Sequence, residues 1–314
     1  MEKAVAFLDL LAFSSRIREN TPEALMAFTN YRTILQTAWQ DSQRHPVESY
    51  PEVLRELVAR SGIDSFEHFL PFSDSIFIAG EDPSMFLMQL GHFVLNCFRF
   101  TARHYLQPED RANPTQVTIP EIGRGPDGHL VAKETQMHYF PTLFRGGIAW
   151  GEAVPISLFG IVQRNPVEIA NLAGKAVVEA VGLESKVKGP RIIFAKDFYE
   201  RLNDAARVYV KETEIKGYFE LLWPGFHYIL SNGSRETNSF RDLFIPAVNL
   251  WRAHNHTASS EHYFRFVELV VMSTIKVFES AGMLQVSLQT IRQAITTAQL
   301  GDKMQALLKD YHRR

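Results

Sequence analysis

Two carboxylates stand out in this sequence by where they sit. Asp9 interrupts the apolar run "AVAFLDLLAF", residues 4–13, with no basic neighbour beside it. Asp74 lies between Ser73 and Ser75 inside "FEHFLPFSDSIFIAG", residues 66–80, which reads as two short strands about a small polar turn. If that hairpin lies beside the first strand, the two carboxylates come close together. At such a separation they repel, and one takes up a proton unless a cation neutralises them. Mg²⁺ or Mn²⁺ favours a few carboxylates completed by phosphate oxygens and water, so the pair suits a metal–nucleotide site. Taken singly, Asp9 reads as a turn or helix cap and Asp74 as a hairpin tip.

Other candidate chemistry is weaker. His254, His256 and His262 cluster in "HNHTASSEH", but their spacing does not put them on one helix face, and the stretch reads as a polar loop between helices. The sequence contains no nucleophile-elbow, Walker or dinucleotide-binding glycine motif. The glycines of "IGRGPDG" read as turn punctuation. A single cysteine, Cys97, excludes a disulfide within the chain and a cysteine zinc site. Cys97 reads as core, and so do Met85 and Met88.

With 33 Lys and Arg against 35 Asp and Glu, the formal charge is -2, so no basic surface for nucleic acid is expected. The first apolar run is cut by Asp9 and lacks the basic start of a signal peptide. "FVELVVMSTIKVF" carries Glu268 and Lys276 and is too short to span a bilayer. A cytoplasmic protein without membrane insertion is the expectation.

The elements that must position the aspartates follow from pattern. Residues 3–10 read as a strand buried on both faces. Thr21-Pro22-Glu23 opens a helix, with a capping hydroxyl and proline at the first position, that continues over 24–39. A second helix is expected over 51–60, stopping near Gly62. After the hairpin, residues 84–106 are apolar on nearly every face and read as a buried helix. Residues 107–133 read as a long loop or small flap. "FRGGIAWGEAV", residues 144–154, is a glycine-punctuated strand. Asn165-Pro166 opens toward a helix reaching about Lys186, and "RIIFA" from Arg191 is another strand. Residues 218–230 suggest a closing hairpin. From Asn238 the pattern turns helical, with a helix over 261–281 stopped at Gly282 and one or two more over 287–308. The order predicts an α+β fold with a ferredoxin-like or palm-like core, an antiparallel-containing sheet with helices, and a C-terminal helical extension. The division expected is 1–232, including the 107–133 insertion, and 233–314.

These residues resemble a family. "FLDLLAFS", residues 7–14, resembles the first metal-binding motif of class III nucleotide cyclases, and "FSDSIFI", residues 72–78, is similar to their second metal-binding hairpin. "FRGGIAWGE", residues 144–152, resembles their Arg-x-Gly-Ile strand. "AGKAVVEAVGLES", residues 173–185, resembles the helix that normally reads Gly-x-x-Val-Asn-x-Ala-x-Arg-Leu-Glu. The likeness covers roughly residues 3–230. Within the family, the Ser-Asp-Ser hairpin and Arg-Gly-Gly strand are most similar to the pyrimidine cyclases of Pycsar antiphage defence.

The resemblance implies a nucleotidyl cyclase acting on UTP, less readily on CTP, with two Mn²⁺ or Mg²⁺ ions. It implies that Asp9, Asp74 and the Leu10 carbonyl hold the metals, and that backbone amides of Leu11, Ala12, Phe13 and Ser14 cradle the phosphates. It further implies a head-to-tail homodimer with composite sites and a separate cyclic-nucleotide-binding effector protein.

Departures from the family pattern are informative. Ala12 stands where the family has glycine. The adenine-reading lysine and its partner aspartate fall at Leu70 and Asn171, which argues against an ordinary adenylate cyclase. The transition-state Asn and Arg fall at Val178 and Gly182. Arg145, Lys175 and Lys186 are the substitute cations on offer, with Arg145 as the catalytic candidate. A simpler reading pairs Arg145 with a nearby acid such as Glu152. A purine cyclase with an unusual base pocket and an inactive homologue serving as a regulatory module stay open.

Overall fold

Alternation along the first apolar run divides it between two faces, and the computed structural model shows both covered. The structure describes residues 1–19, 21–43, 64–102, 116–124, 129–138, 141–230, 238–301 and 304. In β1 (Glu2–Leu10), Ala4, Ala6 and Leu8 join a large buried cluster, while Val5 and Phe7 pack into a smaller one on the opposite face. Next come α1 (Phe13–Glu19), α2 (Thr21–Gln43), the hairpin strands β2 (His68–Phe72) and β3 (Ser75–Gly80), and α3 (Pro83–Thr101). A hairpin of β4 (Gln116–Arg124) and β5 (Leu130–His138) precedes β6 (Phe144–Glu152). A second hairpin, β7 (Val154–Val162) with β8 (Asn165–Ala173), leads into α4 (Lys175–Glu184) and β9 (Ile192–Ala195).

Two short helices follow, α5 (Lys196–Glu200) and α6 (Asp204–Arg207), and then β10 (Val210–Glu212) and β11 (Tyr218–Leu221). A 3₁₀ turn, Trp223–Phe226, runs into α7 (His227–Leu230). The C-terminal helices are α8 (Asn238–Ala253), α9 (Ser260–Ser280) and α10 (Leu284–Thr297).

Seven strands form one sheet in the order β10-β11-β9-β6-β1-β3-β2. Its β6-β1-β3-β2 half is antiparallel throughout. In the chain, α2 lies between β1 and β2, and α3 between β3 and β6. This is the ferredoxin-like split β-α-β arrangement, and it bears out the α+β class expected from the sequence. β9 then joins β6 in parallel, as a strand returning through a helix can.

The face of Ala4, Ala6 and Leu8 is covered by Tyr31 and Leu35 of α2 and by Phe86 and Phe93 of α3. Phe266 and Val270 of α9 enter the same cluster beside Trp223, so the C-terminal helices share this core. Ala176 and Ala180 of α4 cover the other face. Cys97 is buried, as expected of core filler.

Several expectations are corrected. Among the described residues the Thr21 hydroxyl, expected as a cap, is found as a donor: Oγ1 donates to the Ile17 carbonyl at 2.7 Å and so ties α2 back to α1. The 107–133 stretch, read as a long loop or small flap, holds among its described residues the paired strands β4 and β5, the second of which runs on to His138. The helix expected from Asn165 is a strand up to Ala173, and α4 begins only at Lys175. Gly174 makes that break: its φ is 138°, and a Cβ there would lie 2.2 Å from the Glu152 carbonyl oxygen. The hairpin expected over 218–230 pairs differently. β11 takes β10 and β9 as neighbours, and Pro224, which has no N–H to give a ladder, opens the 3₁₀ turn instead. The expected helix over 51–60 lies outside the described residues.

Candidate functional site

Strand register decides where the two aspartates go. Asp9 faces Ser75 across the β1–β3 ladder, and the Leu10 amide donates to the Asp74 carbonyl at 2.9 Å. Ser73 and Asp74 form the two-residue turn between Phe72 and Ser75. Ser73 has φ of 56°, positive at the first turn position as a tight type II′ hairpin requires. The structure therefore brings Asp9 and Asp74 together at the ends of adjacent strands.

On its other side Asp9 faces Arg145 of β6. Ser75 Oγ donates to Asp9 Oδ1 at 3.0 Å, and Arg145 Nη2 lies 3.6 Å from Asp9 Oδ2. Arg145 also forms an ion pair with Glu184 at the end of α4. The pairing with Glu152 offered by the sequence is corrected, because Glu152 lies at the far end of β6 opposite Glu2.

Glu184 reaches Arg145 because α4 packs directly on the strand. A Cβ on Gly147 would lie 2.3 Å from the Ala180 carbonyl oxygen and 2.4 Å from Leu183 Cβ, so only glycine admits that approach. Sequence reasoning did not single out Glu184. Its one signal was the closing Glu of the helix motif, which gives no hint of a partner.

Burial pushes the Asp9 carboxyl above its ordinary range, and the neighbouring Asp74 charge adds to this, while the Ser75 hydroxyl and Arg145 pull it back. Glu184 is also raised, mainly by burial and against the pull of Arg145. Among the described residues Asp9 and Glu184 share the Arg145 guanidinium and Asp74 adds a further negative charge beside Asp9, an excess that a divalent cation would offset. Among the described residues, no three His, Cys, Asp or Glu side chains form a cage able to hold a metal ion. Asp9 and Asp74 fit instead an ion of the Mg²⁺ type, whose other ligands are water and phosphate.

The turn after β1 is where the resemblance places a phosphate cradle of the Leu11, Ala12, Phe13 and Ser14 amides. The Leu11 amide is committed, donating to the Leu143 carbonyl at 2.8 Å. That leaves the amides of Ala12, Phe13 and Ser14 at the start of α1. Leu10 lies opposite Phe144 in the ladder. Ala12 has φ of 64°, so the turn does demand the left-handed conformation that the family's glycine would adopt freely. An Ala12→Gly protein should gain ~0.5–1 kcal/mol, the relieved strain less the extra freedom of glycine in the unfolded chain. Urea denaturation reads this as a higher midpoint at unchanged slope; a lower midpoint contradicts the strain.

The other sequence candidates are elsewhere. Lys175 pairs with Glu179 at 3.5 Å, and Lys186 Nζ sits 5.4 Å from the centre of the Tyr218 ring. Of the three substitute cations only Arg145 meets the carboxylates. Leu70 packs with Phe7 and Phe77 against the smaller cluster, and Asn171 Oδ1 accepts from the Leu172 amide. Val178 is 73% exposed on the outer face of α4, and Gly182 beside it has open space around it. The three histidines do not converge: His254 stacks on Tyr263, while His262 Nδ1 accepts from the Gly189 amide at 3.0 Å. Among the described residues no helix is long and apolar enough to cross a membrane.

No protein-family model and no curated protein sequence matches the chain. Solved structures do align with it. A Trypanosoma brucei adenylate cyclase in its monomeric state covers 71% of this chain and 90% of its own, at 14% identity and a TM-score of 0.37. The guanylyl cyclase Cya2 covers 71% and 92%, at 15% identity and a TM-score of 0.36. The guanylyl cyclase domain of the RhoGC fusion protein from the aquatic fungus Blastocladiella emersonii covers 70% and 96%, at 12% identity and a TM-score of 0.34.

Proposed function

We propose that this protein is a cytoplasmic nucleotidyl cyclase that converts a nucleoside triphosphate, UTP ahead of CTP, into the 3′,5′-cyclic nucleotide and pyrophosphate. The observation that carries the reading is the meeting of Asp9 and Asp74 at adjacent strand ends with Arg145 beside them. Asp9, Asp74 and the Leu10 carbonyl would hold two Mn²⁺ or Mg²⁺ ions. When bound, such ions lower the pKa of the ribose 3′-hydroxyl and neutralise charge on the pyrophosphate leaving group. In the reaction the 3′-oxygen bonds to the α-phosphorus, its proton leaves to solvent, and the bond to pyrophosphate breaks.

The chain's own groups bind and orient. Arg145, tethered between Asp9 and Glu184, is the cation at hand for the triphosphate. The amides of Ala12, Phe13 and Ser14 offer donors to phosphate oxygens. Apolar Leu70 and self-bonded Asn171 supply no reader of adenine, which favours a pyrimidine. The place in bacterial antiphage signalling, with a separate effector, is supported by the likeness of the Ser-Asp-Ser hairpin and the Arg-Gly-Gly strand.

A head-to-tail homodimer would complete the site. Leu158, Phe159 and Ile161 on the β7–β8 hairpin, with Val178 and Val181 on α4, are exposed. Apolar surface of this kind is what a second copy covers.

Val178 and Gly182 also favour a second reading. They offer neither a donor nor a cation where the family places its transition-state pair, as an inactive nucleotide-binding regulatory homologue would. Incubation of the purified protein with each of the four triphosphates and Mn²⁺, followed by mass spectrometry, separates the two. A cyclic pyrimidine nucleotide is expected. A cyclic purine alone moves the substrate class, and no cyclic product from any triphosphate leaves the regulatory reading.

A further inference from the structure

A groove of about 430 Å³ runs between α2 and the edge strand β2, on the sheet face opposite α4. Phe28, Tyr31, Leu35 and Trp39 line it from α2, at the spacing that puts side chains on one helical stripe. Phe69 and Pro71 line it from β2, two apart and so on one face of the strand. Ser73, next to Asp74 in the hairpin turn, closes one end.

Two features set this groove apart from ordinary core. Tyr31 is 5% exposed, and its hydroxyl has no hydrogen-bond partner among the described residues; the Trp39 indole N–H is likewise buried and unpaired. Buried donors are normally satisfied, because leaving one unpaired costs its full desolvation. The Trp39 ring also stacks on no other aromatic ring among the described residues, whereas Tyr31 is held by Phe28 and Phe144. One end of the groove thus offers an indole face with an N–H. The other end, ~12 Å away along the helix, offers a hydroxyl beside the hairpin turn. Arg32 and Gln36 line it from exposed positions on the same helix.

We infer that this groove is a nucleoside-binding site, with a planar base against Trp39 and the ribose end toward Tyr31 and Ser73. A base has ring and carbonyl acceptors for the indole N–H when it lies at the edge of the ring, and a ribose hydroxyl can accept from Tyr31. The apolar walls and the nearby Asp9 and Asp74 disfavour a free anion at this depth, so the neutral nucleoside portion is what enters. The contacts assigned to the nucleoside are Trp39, Tyr31 and Ser73, so the assignment stands whether or not the protein is a cyclase. The nucleoside can be that of the substrate, with its phosphates extending past Ser73 toward Asp74, or a separate molecule.

The probes are uridine, cytidine, adenosine and guanosine, each added to the full chain without metal and followed by saturation-transfer NMR and tryptophan fluorescence. At least one is expected to bind and to quench fluorescence, and Trp39→Phe should remove the quench. Tyr31→Phe, which deletes only an unpaired oxygen, should keep the parent's denaturation midpoint or raise it and weaken binding roughly 3–10-fold. Competition by the matching triphosphate with Mn²⁺ would identify the substrate's own nucleoside as the occupant; simultaneous binding would identify a separate one. Asp9→Asn should bind the nucleoside as the parent does, so an inactive enzyme leaves this test intact. Absence of binding by all four nucleosides, or binding that neither Tyr31→Phe nor Trp39→Phe changes, overturns the assignment.

Discussion

An Asp9→Asn protein is expected to fold as the parent does and to lose turnover by on the order of 10³-fold, because a bound cation supplies several kcal/mol of transition-state stabilisation. The two effects separate because of where Asp9 sits. Its carboxyl is raised by burial and by Asp74, so the ionised form is a burden on the fold without a cation. The amide is neutral and nearly isosteric, and it can keep the Ser75 hydroxyl as partner. Denaturation should therefore show a midpoint unchanged or slightly raised, alongside near-total loss of cyclic nucleotide. Mn²⁺ affinity, read by calorimetry with a non-cyclisable triphosphate, should fall in parallel. A variant that keeps its turnover removes Asp9 from the metal site, and one that unfolds makes it structural. Metal affinity in the parent should also weaken on acidification, since protons and cations compete for a carboxylate whose pKa lies above its usual range.

Arg191→Met should give the largest loss of stability, about 3–5 kcal/mol, the cost of stripping a buried charge of its partner. Glu220 is 0% exposed, and Arg191 Nε donates to its Oε2 at 2.5 Å. The two Nη groups of Arg191 grip Glu214 at 2.8 and 2.9 Å. The backbone of the same residue accepts from the Gly146 amide at 3.0 Å, one residue from Arg145, so the network ties β9 to the site strand. Replacing both ends, Arg191→Met with Glu220→Leu, should recover most of the loss, because no lone charge is then left inside.

The two glutamates respond to pH in opposite senses. Hydrogen bonds from Arg191 hold Glu214 down at about 2, so its contribution is present above its ordinary value of 4.5 and is lost as pH falls toward about 2. The parent's advantage over Glu214→Gln in denaturant midpoint should vanish across that window. Burial raises Glu220, so protonation favours the fold and stability is given up as pH rises through its folded pKa. The Arg191→Met deficit should accordingly shrink on acidification. A deficit that stays constant with pH would mean that Glu220 is not the group left stranded.

Strand β1 was legible because its apolar run is continuous, and the Ser-Asp-Ser turn because small polar residues announce it. The β7–β8 hairpin was not. Its turn residues Gln163 and Arg164 have φ of 50° and 70°, both positive, yet neither is the glycine or asparagine that normally marks such a turn. The 218–230 segment misled for a related reason: β10 is only three residues long, too short to show alternation, so β11 had no visible partner. Glu184 stayed hidden because an acid near a helix end is ordinary until something charged is found against it.

The sequence by itself determined the local quantities: which residues alternate, where the chain turns, and that Asp9 and Asp74 lack local counter-charges. Local pattern fixes the face on which a side chain lies, because strand and helix periods are properties of the backbone. It does not fix which distant segment lies alongside. The tertiary structure decided that β3 and β6 flank β1, in a register that sets Ser75 on one side of Asp9 and Arg145 on the other. It also decided, through the bare backbone of Gly147, that α4 lies close enough for Glu184 to reach that arginine. The lone aspartate of the first strand thereby came to share a guanidinium with Glu184 and a strand end with Asp74, relations set by long-range pairing and packing.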